Sequence, residues 1–234
     1  KVPLIDSMAT RFDSLQVRNR ATVGGNLAFA AQDSDLVPVL LALDAEVLIS
    51  GLSGERKLML KDFLGGAAAA MGRGEILSSV LLEDRGSNAG EQDGDHHLSG
   101  FYKVARRNYS GRAIVCGAFA VEINGEGRVT RSRLCYGGLS AHAMRAYEAE
   151  ELLTGAVWGK KAAGRVAITL QEAFPARSDY LASAGYRKAM VGQLWRKFFA
   201  ENSTPGTHIP LSHGLDYGEP SLETTRGVTE DVQG

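Results

Sequence analysis

Apolar residues change their spacing several times along the chain, and each change predicts an element. In Pro3 to Leu15 they fall at Leu4, Ile5, Met8, Phe12 and Leu15, the three-and-four spacing of one helical face. From Val17 to Asp35 small and polar residues take over, and the paired Gly24-Gly25 predicts tight backbone turns or close approach to a ligand. Asp33 or Ser34 can cap a helix carrying Leu36, Val39, Leu40 and Leu43, with Pro38 tolerated inside its first turn. Ala45 to Ile49 and Arg56 to Leu60 read as strands joined by Gly51-Leu52-Ser53-Gly54, and Glu75 to Leu82 as another after a short helix. Asp84 to His97 holds almost nothing to bury and reads as a surface loop or hinge.

Regular patterning then resumes. Leu98 to Val104, Ala113 to Ile123 and Arg128 to Tyr136 predict a small antiparallel sheet. Asn124-Gly125-Glu126-Gly127 joins the last two, with Asn-Gly expected to supply the positive φ of a hairpin turn. Helical spacing returns over Ala143 to Leu153, Gly159 to Ala173 and Asp179 to Ala200. In the last, Met190, Leu194 and Phe198 run beside Val191, Trp195 and Phe199, so these helices should cover one face of the sheet. Glu201 to Gly234 lacks periodicity and suits an extended linker or tail. The fold class is therefore α+β, with no internal repeat.

Composition narrows the function classes. At 234 residues and 44% hydrophobic content the chain is globular in character. Lys plus Arg number 26 against 27 Asp plus Glu, so no net basic field favours a nucleic-acid or anionic-membrane partner. The longest apolar stretch, Leu36 to Leu43, is far short of the roughly 20 residues that span a bilayer. Cys116 and Cys135 make no disulfide framework and no CxxC, which fits a reducing, cytoplasmic compartment. A start at Lys1, without a signal-peptide pattern, reads as a fragment with something upstream.

Spacing alone leaves the candidate chemistry open. In Ala21-Thr22-Val23-Gly24-Gly25-Asn26, backbone amides, the Thr22 hydroxyl and the Asn26 amide could meet phosphate oxygens or a ring edge, but an ordinary glycine turn explains the residues as simply. Neither GxGxxG nor GxxxxGK[ST] occurs. Lys103 shares a strand face with Phe101 and Ala105. It is either a cation aimed at an anionic cofactor group or, as alternation by itself favours, a lysine on an exposed face with Phe101 at a sheet edge. Cys135 has no nearby histidine placed as a base and reads as a buried structural residue. His96-His97 with Asp93 or Asp95 is a weak metal candidate in a solvated loop.

The order of the pieces is more specific than any one of them. Phe12-x5-Arg18-Asn19-x-Ala21-Thr22-Val23-Gly24-Gly25-Asn26, Ser34-Asp35-Leu36-x-Pro38-Val39-Leu40-Leu41-Ala42-Leu43, Glu75-Ile76-Leu77, Phe101-x-Lys103-x3-Arg107 and Cys135-Tyr136-Gly137-Gly138 follow in turn. Together, from about Leu4 to Phe199, they resemble the FAD-binding domain of the molybdenum hydroxylases, the family of xanthine dehydrogenase, aldehyde oxidase and the carbon monoxide dehydrogenase medium subunits.

The resemblance implies a flavin relay. FAD would take electrons from 2Fe-2S clusters, after substrate hydroxylation at a molybdopterin centre in other domains or subunits, and pass them to NAD or O2. It also implies a homodimer of the whole assembly. Residues 1–84 would be the C-terminal part of the FAD-binding domain, 98–200 the flavoprotein C-terminal subdomain and 201–234 a linker or tail. Phe12, Thr22, Asp35, Leu77 and Lys103 fall where the family contacts FAD, with Gly24, Gly25 and Asn26 as the adjoining turn. On this resemblance Lys103 becomes a cation favouring negative charge on a reduced flavin. Asn108-Tyr109-Ser110-Gly111-Arg112 stands where xanthine dehydrogenases carry an acidic stretch, and Gly65-Gly66-Ala67-Ala68-Ala69-Ala70 replaces an aromatic and basic run, so the acceptor stays open. The other reading is a flavin-free assembly module within a redox complex.

Overall fold

The computed structural model describes residues 2–67, 71–83, 94–107 and 111–203. Helix α1 (Pro3–Ala9) begins with Pro3 in its first turn, where a missing N–H leaves no bond unmade. The helix expected to reach Leu15 ends early. Asp13 takes a φ of 31° and its side chain accepts from the Ser14 amide, while Ser14 caps a separate short helix, α2 (Leu15–Arg18). Short polar side chains have here diverted the backbone from helical bonding. The stretch read as glycine turns is itself a helix, α3 (Val23–Phe29), capped by Thr22. Helix α4 (Leu36–Ala42) is buried along its whole length, and Ser34 Oγ accepts from the Val37 amide at 3.2 Å to cap it.

Strands β1 (Glu46–Gly51), β2 (Gly54–Met59) and β3 (Ile76–Leu81) form an antiparallel sheet in the order β2-β1-β3. Between β2 and β3 lie the short helix α5 (Leu60–Asp62) and a π-type turn over Phe63–Ala67. The second sheet runs β4 (His96–Val104), β5 (Val115–Ile123), β6 (Val129–Gly137) and β7 (Met144–Arg145), again antiparallel. His96 and His97 are strand residues opposite Ile123 and Glu122, not part of a loop. At the β5–β6 hairpin the positive φ belongs to Gly127 (74°) rather than to Asn-Gly. The Gly127 amide bonds Asn124 O at 2.8 Å, and Asn124 Oδ1 accepts from the Glu126 and Arg128 amides. The register slip at Glu122/Ile123 accompanies it, the pattern of a three-residue loop closed by a left-handed glycine.

Helices α6 (Tyr147–Leu153), α7 (Lys160–Glu172) and α8 (Ala184–Glu201) follow. The helix expected from Ala143 starts later because Met144 and Arg145 pair with Tyr136 and Cys135. The helix expected from Asp179 starts at Ala184. Asp179 Oδ1 instead accepts from the Leu181 and Ala182 amides, and Ser183 supplies the cap. Glu201 closes α8 rather than opening a linker, and the rest of that tail from 204 lies outside the described residues, as do 84–93, 68–70 and 108–110.

The second sheet is covered on both faces. The helical face is aromatic: Phe119 stacks with Tyr102 and meets Tyr136, Trp195 and Phe198 edge-on or tilted. The polar groups of two of these rings are satisfied, with Trp195 Nε1 donating to Ala163 O and Tyr136 OH to Val191 O. On the other face the small residues Cys116, Ala118 and Cys135 share a core with α1, α4 and β1. Small side chains on one face and aromatics on the other let a buried helix approach closely while the opposite layer is filled by rings. β5 accordingly shows no polar alternation through its first half.

A charge network locks the two layers. Asp44, at φ 51° just past α4, accepts from Arg131 at 2.8 Å, from Arg145 at 2.6 Å and from Arg133. Burial works to raise the Asp44 pKa, but the three arginines hold it below the ordinary carboxylate value. Arg133, with no side-chain exposure, also bonds Glu122 at 3.1 Å, and Arg145 bonds Glu150.

Replacing Asp44 with Ala should cost about 3 kcal/mol, because it strips a carboxylate from a buried guanidinium; a fall in Tm of roughly 6–12 °C would show it. Gly138 has φ +85°, and a Cβ there would lie 2.3 Å from Ile114 O. Gly138→Ala should therefore destabilise by at least about 4 kcal/mol, read by chemical denaturation.

Candidate functional site

Lys103 sits on β4 opposite Cys116 of β5. Its Nζ donates to Asp35 Oδ2 at 2.5 Å and to Arg11 O at 3.5 Å, and both charged side chains are only 6% exposed. The exposed-face lysine that alternation favours is thus overturned, because α1 and the turn after it cover this face of β4. Asp35 lies immediately before α4. Burial raises its pKa to about 6 despite the opposing charge and hydrogen bond of Lys103, with Asp33 and Asp13 adding to the rise. Its Oδ1 is buried and has no hydrogen-bond partner among the described residues.

The glycine-rich segment contributes a helix start. Thr22 Oγ1 accepts from the Gly25 amide at 3.0 Å, leaving the hydroxyl proton to donate elsewhere. A Cβ on Gly25 would stand 2.8 Å from that oxygen, so glycine permits the cap. Gly24 faces β3, where its Cβ would lie 4.0 Å from Leu77 O. Asn26 Oδ1 accepts from Ser34 Oγ at 2.6 Å, which ties α3 to the residue before Asp35. Phe12 follows Arg11, whose carbonyl takes the second Lys103 bond; Phe12 and Leu77 are both partly buried against the same core.

The predicted residues therefore form one continuous path, from Leu77 through Gly24, Asn26 and Ser34 to Asp35, Lys103 and the Arg11-Phe12 turn. Thr22 and Gly25 remain exposed at its outer end, beside Val23 and an 82% exposed Phe29. Sequence reading missed Arg11 and Gln32 as supports. Arg11 anchors its turn by donating to Phe101 O at 3.0 Å, and Gln32 O accepts from the Gly138 amide at 2.6 Å. Gln32 acts through its carbonyl, and Arg11 through its carbonyl and a guanidinium bond to another carbonyl, partners that no residue type announces. Arg112 pairs with Asp33 at 2.5 Å on the rim, and that bond raises the guanidinium pKa further.

The other candidates stand apart. Cys135 is fully buried between Ala118 and Arg145 on the neighbouring strands, and burial pushes its thiol well up, away from the thiolate a nucleophile needs. Among the described residues no His, Cys, Asp or Glu group is arranged to hold a metal ion, and Asp93 lies outside them. No helix among them is long and apolar enough to cross a membrane.

Comparison with known proteins bears on the fold and the family. The family described as the FAD binding domain in molybdopterin dehydrogenase matches residues 1–82, and the CO dehydrogenase flavoprotein C-terminal domain matches 100–202. The FAD-subunit of nicotinate dehydrogenase from Eubacterium barkeri is 26% identical, over 82% of this chain and 64% of that protein. Xanthine dehydrogenase 2 of Arabidopsis thaliana is 31% identical over 91% of this chain but 15% of its own length. The crystal structure of quinoline 2-oxidoreductase from Pseudomonas putida 86 superposes with a TM-score of 0.73, with 25% identity over 86% of this chain and 66% of the matched one. The chain thus spans under two thirds of the FAD-subunit relative. With both halves of the chain matched in order and the same fold, the chain belongs to the FAD-binding flavoprotein family of the molybdenum hydroxylases.

Proposed function

We propose that this chain is part of the electron-relay flavoprotein of a molybdenum hydroxylase, taking electrons from 2Fe-2S clusters and passing them to NAD or O2. The observation that carries the reading is the unpartnered Asp35 Oδ1 beside the buried Asp35–Lys103 pair. A buried acceptor without a donor suits a hydroxyl-bearing ligand, because an unmet carboxylate oxygen is costly and a ribityl or ribose hydroxyl would satisfy it. The Thr22 hydroxyl offers a donor, and Phe12 and Leu77 offer apolar surface to a flat ring.

FAD would supply reversible two-electron and one-electron chemistry, linking clusters to a soluble acceptor. The chain's own work is to bind and tune. Lys103 places a fixed cation in a water-poor site, favouring added negative charge; Asp35 holds that cation in place and accepts from the ligand. Gly24, Gly25 and Asn26 set the start of α3 against β3 and α4. Iron-sulfur and molybdopterin domains or subunits would be the partners, in a homodimer of the whole assembly within the cytoplasm.

Flavin released from the purified full-length protein should be FAD, about one per chain. A folded protein without flavin would overturn the relay in favour of an assembly module. Lys103→Met and Asp35→Asn should each weaken FAD binding tenfold or more, about 1.4 kcal/mol, measured by fluorescence titration. Unchanged occupancy in both variants would remove the pair from the site.

The raised Asp35 pKa also gives a signed pH effect. The folded state keeps this proton up to about pH 6, whereas the unfolded chain releases it near 3.8. Its contribution to stability is therefore full below the unfolded value and is lost as pH rises through about 6. Relative to Asp35→Asn, the FAD-free wild type should lose on the order of 2 kcal/mol between pH ~4 and ~7, measured by denaturant titration.

A further inference from the structure

Arg187 is on α8, in the helical layer across the sheet from the site, yet it is only 2% exposed and carries a full charge. Its guanidinium bridges the residues just before β5 and just after β6: Nη1 donates to Gly138 O at 2.6 Å and also to Ile114 O. Nη2 donates to Asp179 Oδ1 at 2.5 Å, which orients the fork from the other side. Burying this charge is costly and is repaid only by such bonds, so the position does more than fill the core.

Both carbonyls lead directly to the site. The Ile114 amide donates to Val104 O at 2.7 Å, and Val104 follows Lys103. The Gly138 amide donates to Gln32 O at 2.6 Å, three residues before Asp35. Cys116 Sγ bonds Ser34 O at 3.6 Å, a second tie between β5 and the same loop. One guanidinium thus holds the two residues whose amides bond the chain segments that carry Lys103 and Asp35.

We propose that Arg187 is a positioning residue for the Asp35–Lys103 pair, holding the Val104 and Gln32 segments in register through the Ile114 and Gly138 peptides. This rests on the flavin reading above for its effect on FAD. A lysine in its place keeps the charge but lacks the planar fork that reaches two carbonyls and a carboxylate together.

The test uses the full-length protein, with Arg187→Lys and Asp179→Asn as variants. In the FAD-free state, exchange of the Ile114 and Gly138 amides should quicken tenfold or more in Arg187→Lys. Exchange over 46–59 and 160–172 should stay within twofold. The FAD Kd should rise at least tenfold, with a shifted flavin reduction potential. Unchanged amides, uniform quickening across the protein, or a normal FAD Kd and potential beside quickened amides would each overturn the proposal. If Arg187→Lys does not fold, Asp179→Asn is judged by the same amides and ligand, with a threefold change expected and its absence decisive. A wild type that binds no FAD while the amides respond would sink the flavin reading and leave the positioning intact.

Discussion

Two opposite charges, Lys103 and Asp35, are almost wholly removed from water, and much of the N-terminal architecture is the means of keeping them so. Desolvating such a pair costs several kcal/mol per ion, returned only when geometry and further hydrogen bonds are good. Here Lys103 gains a second acceptor in Arg11 O, so α1 must end where it does and the chain must turn back over β4. Among the described residues Asp35 gains no second donor for Oδ1. As a device for stability alone the pair is poorly finished, and that unfinished edge is what makes it a candidate site.

The Asp44 network shows what several cations around one carboxylate do, with Arg133 Nη2 as its own buried atom lacking a partner among the described residues. Asp44 is surrounded by Arg131, Arg133 and Arg145, its pKa is held down rather than raised, and Glu122 and Glu150 take up further guanidinium bonds. The two carboxylates bracket α4, one at each end, and have opposite pKa shifts because one meets several cations and the other a single lysine in a drier setting. Helix α4 is thus pinned at both ends by charge and along its length by apolar packing. A rigid α4 is what keeps Asp35 facing β4.

The sheet between the layers is packed on both faces and bonded at its strand ends to both. Cys116, Ala118 and Cys135 keep the α4 face low, while Phe119, Tyr136 and Trp195 fill the helical face. Bonds from α8 through the strand ends reach the loop before α4, so the helical layer and the candidate site are not separable units in the described structure.

By itself the sequence determined the periodic elements and the helical layer over the sheet, and it marked several of the residues that the structure gathers around the Asp35–Lys103 pair. Apolar spacing is local, and a run of motifs in fixed order is legible without coordinates. Helix ends were less legible: Asp13, Ser14 and Asp179 turned the chain with side-chain bonds that compete with helical ones, and the hairpin glycine that took the left-handed conformation was Gly127, not Gly125. The alternation that made Lys103 look exposed failed because the second sheet is buried on both faces, which a single strand's pattern does not reveal. Only the tertiary structure decided that Asp35, 68 residues away, would be its partner, that one oxygen of that carboxylate would be left over among the described residues, and that Arg187 would bond the carbonyls of Ile114 and Gly138, whose amides meet the segments carrying both. Charges choose partners by proximity in a medium of low dielectric, and that proximity is created by packing rather than by sequence spacing.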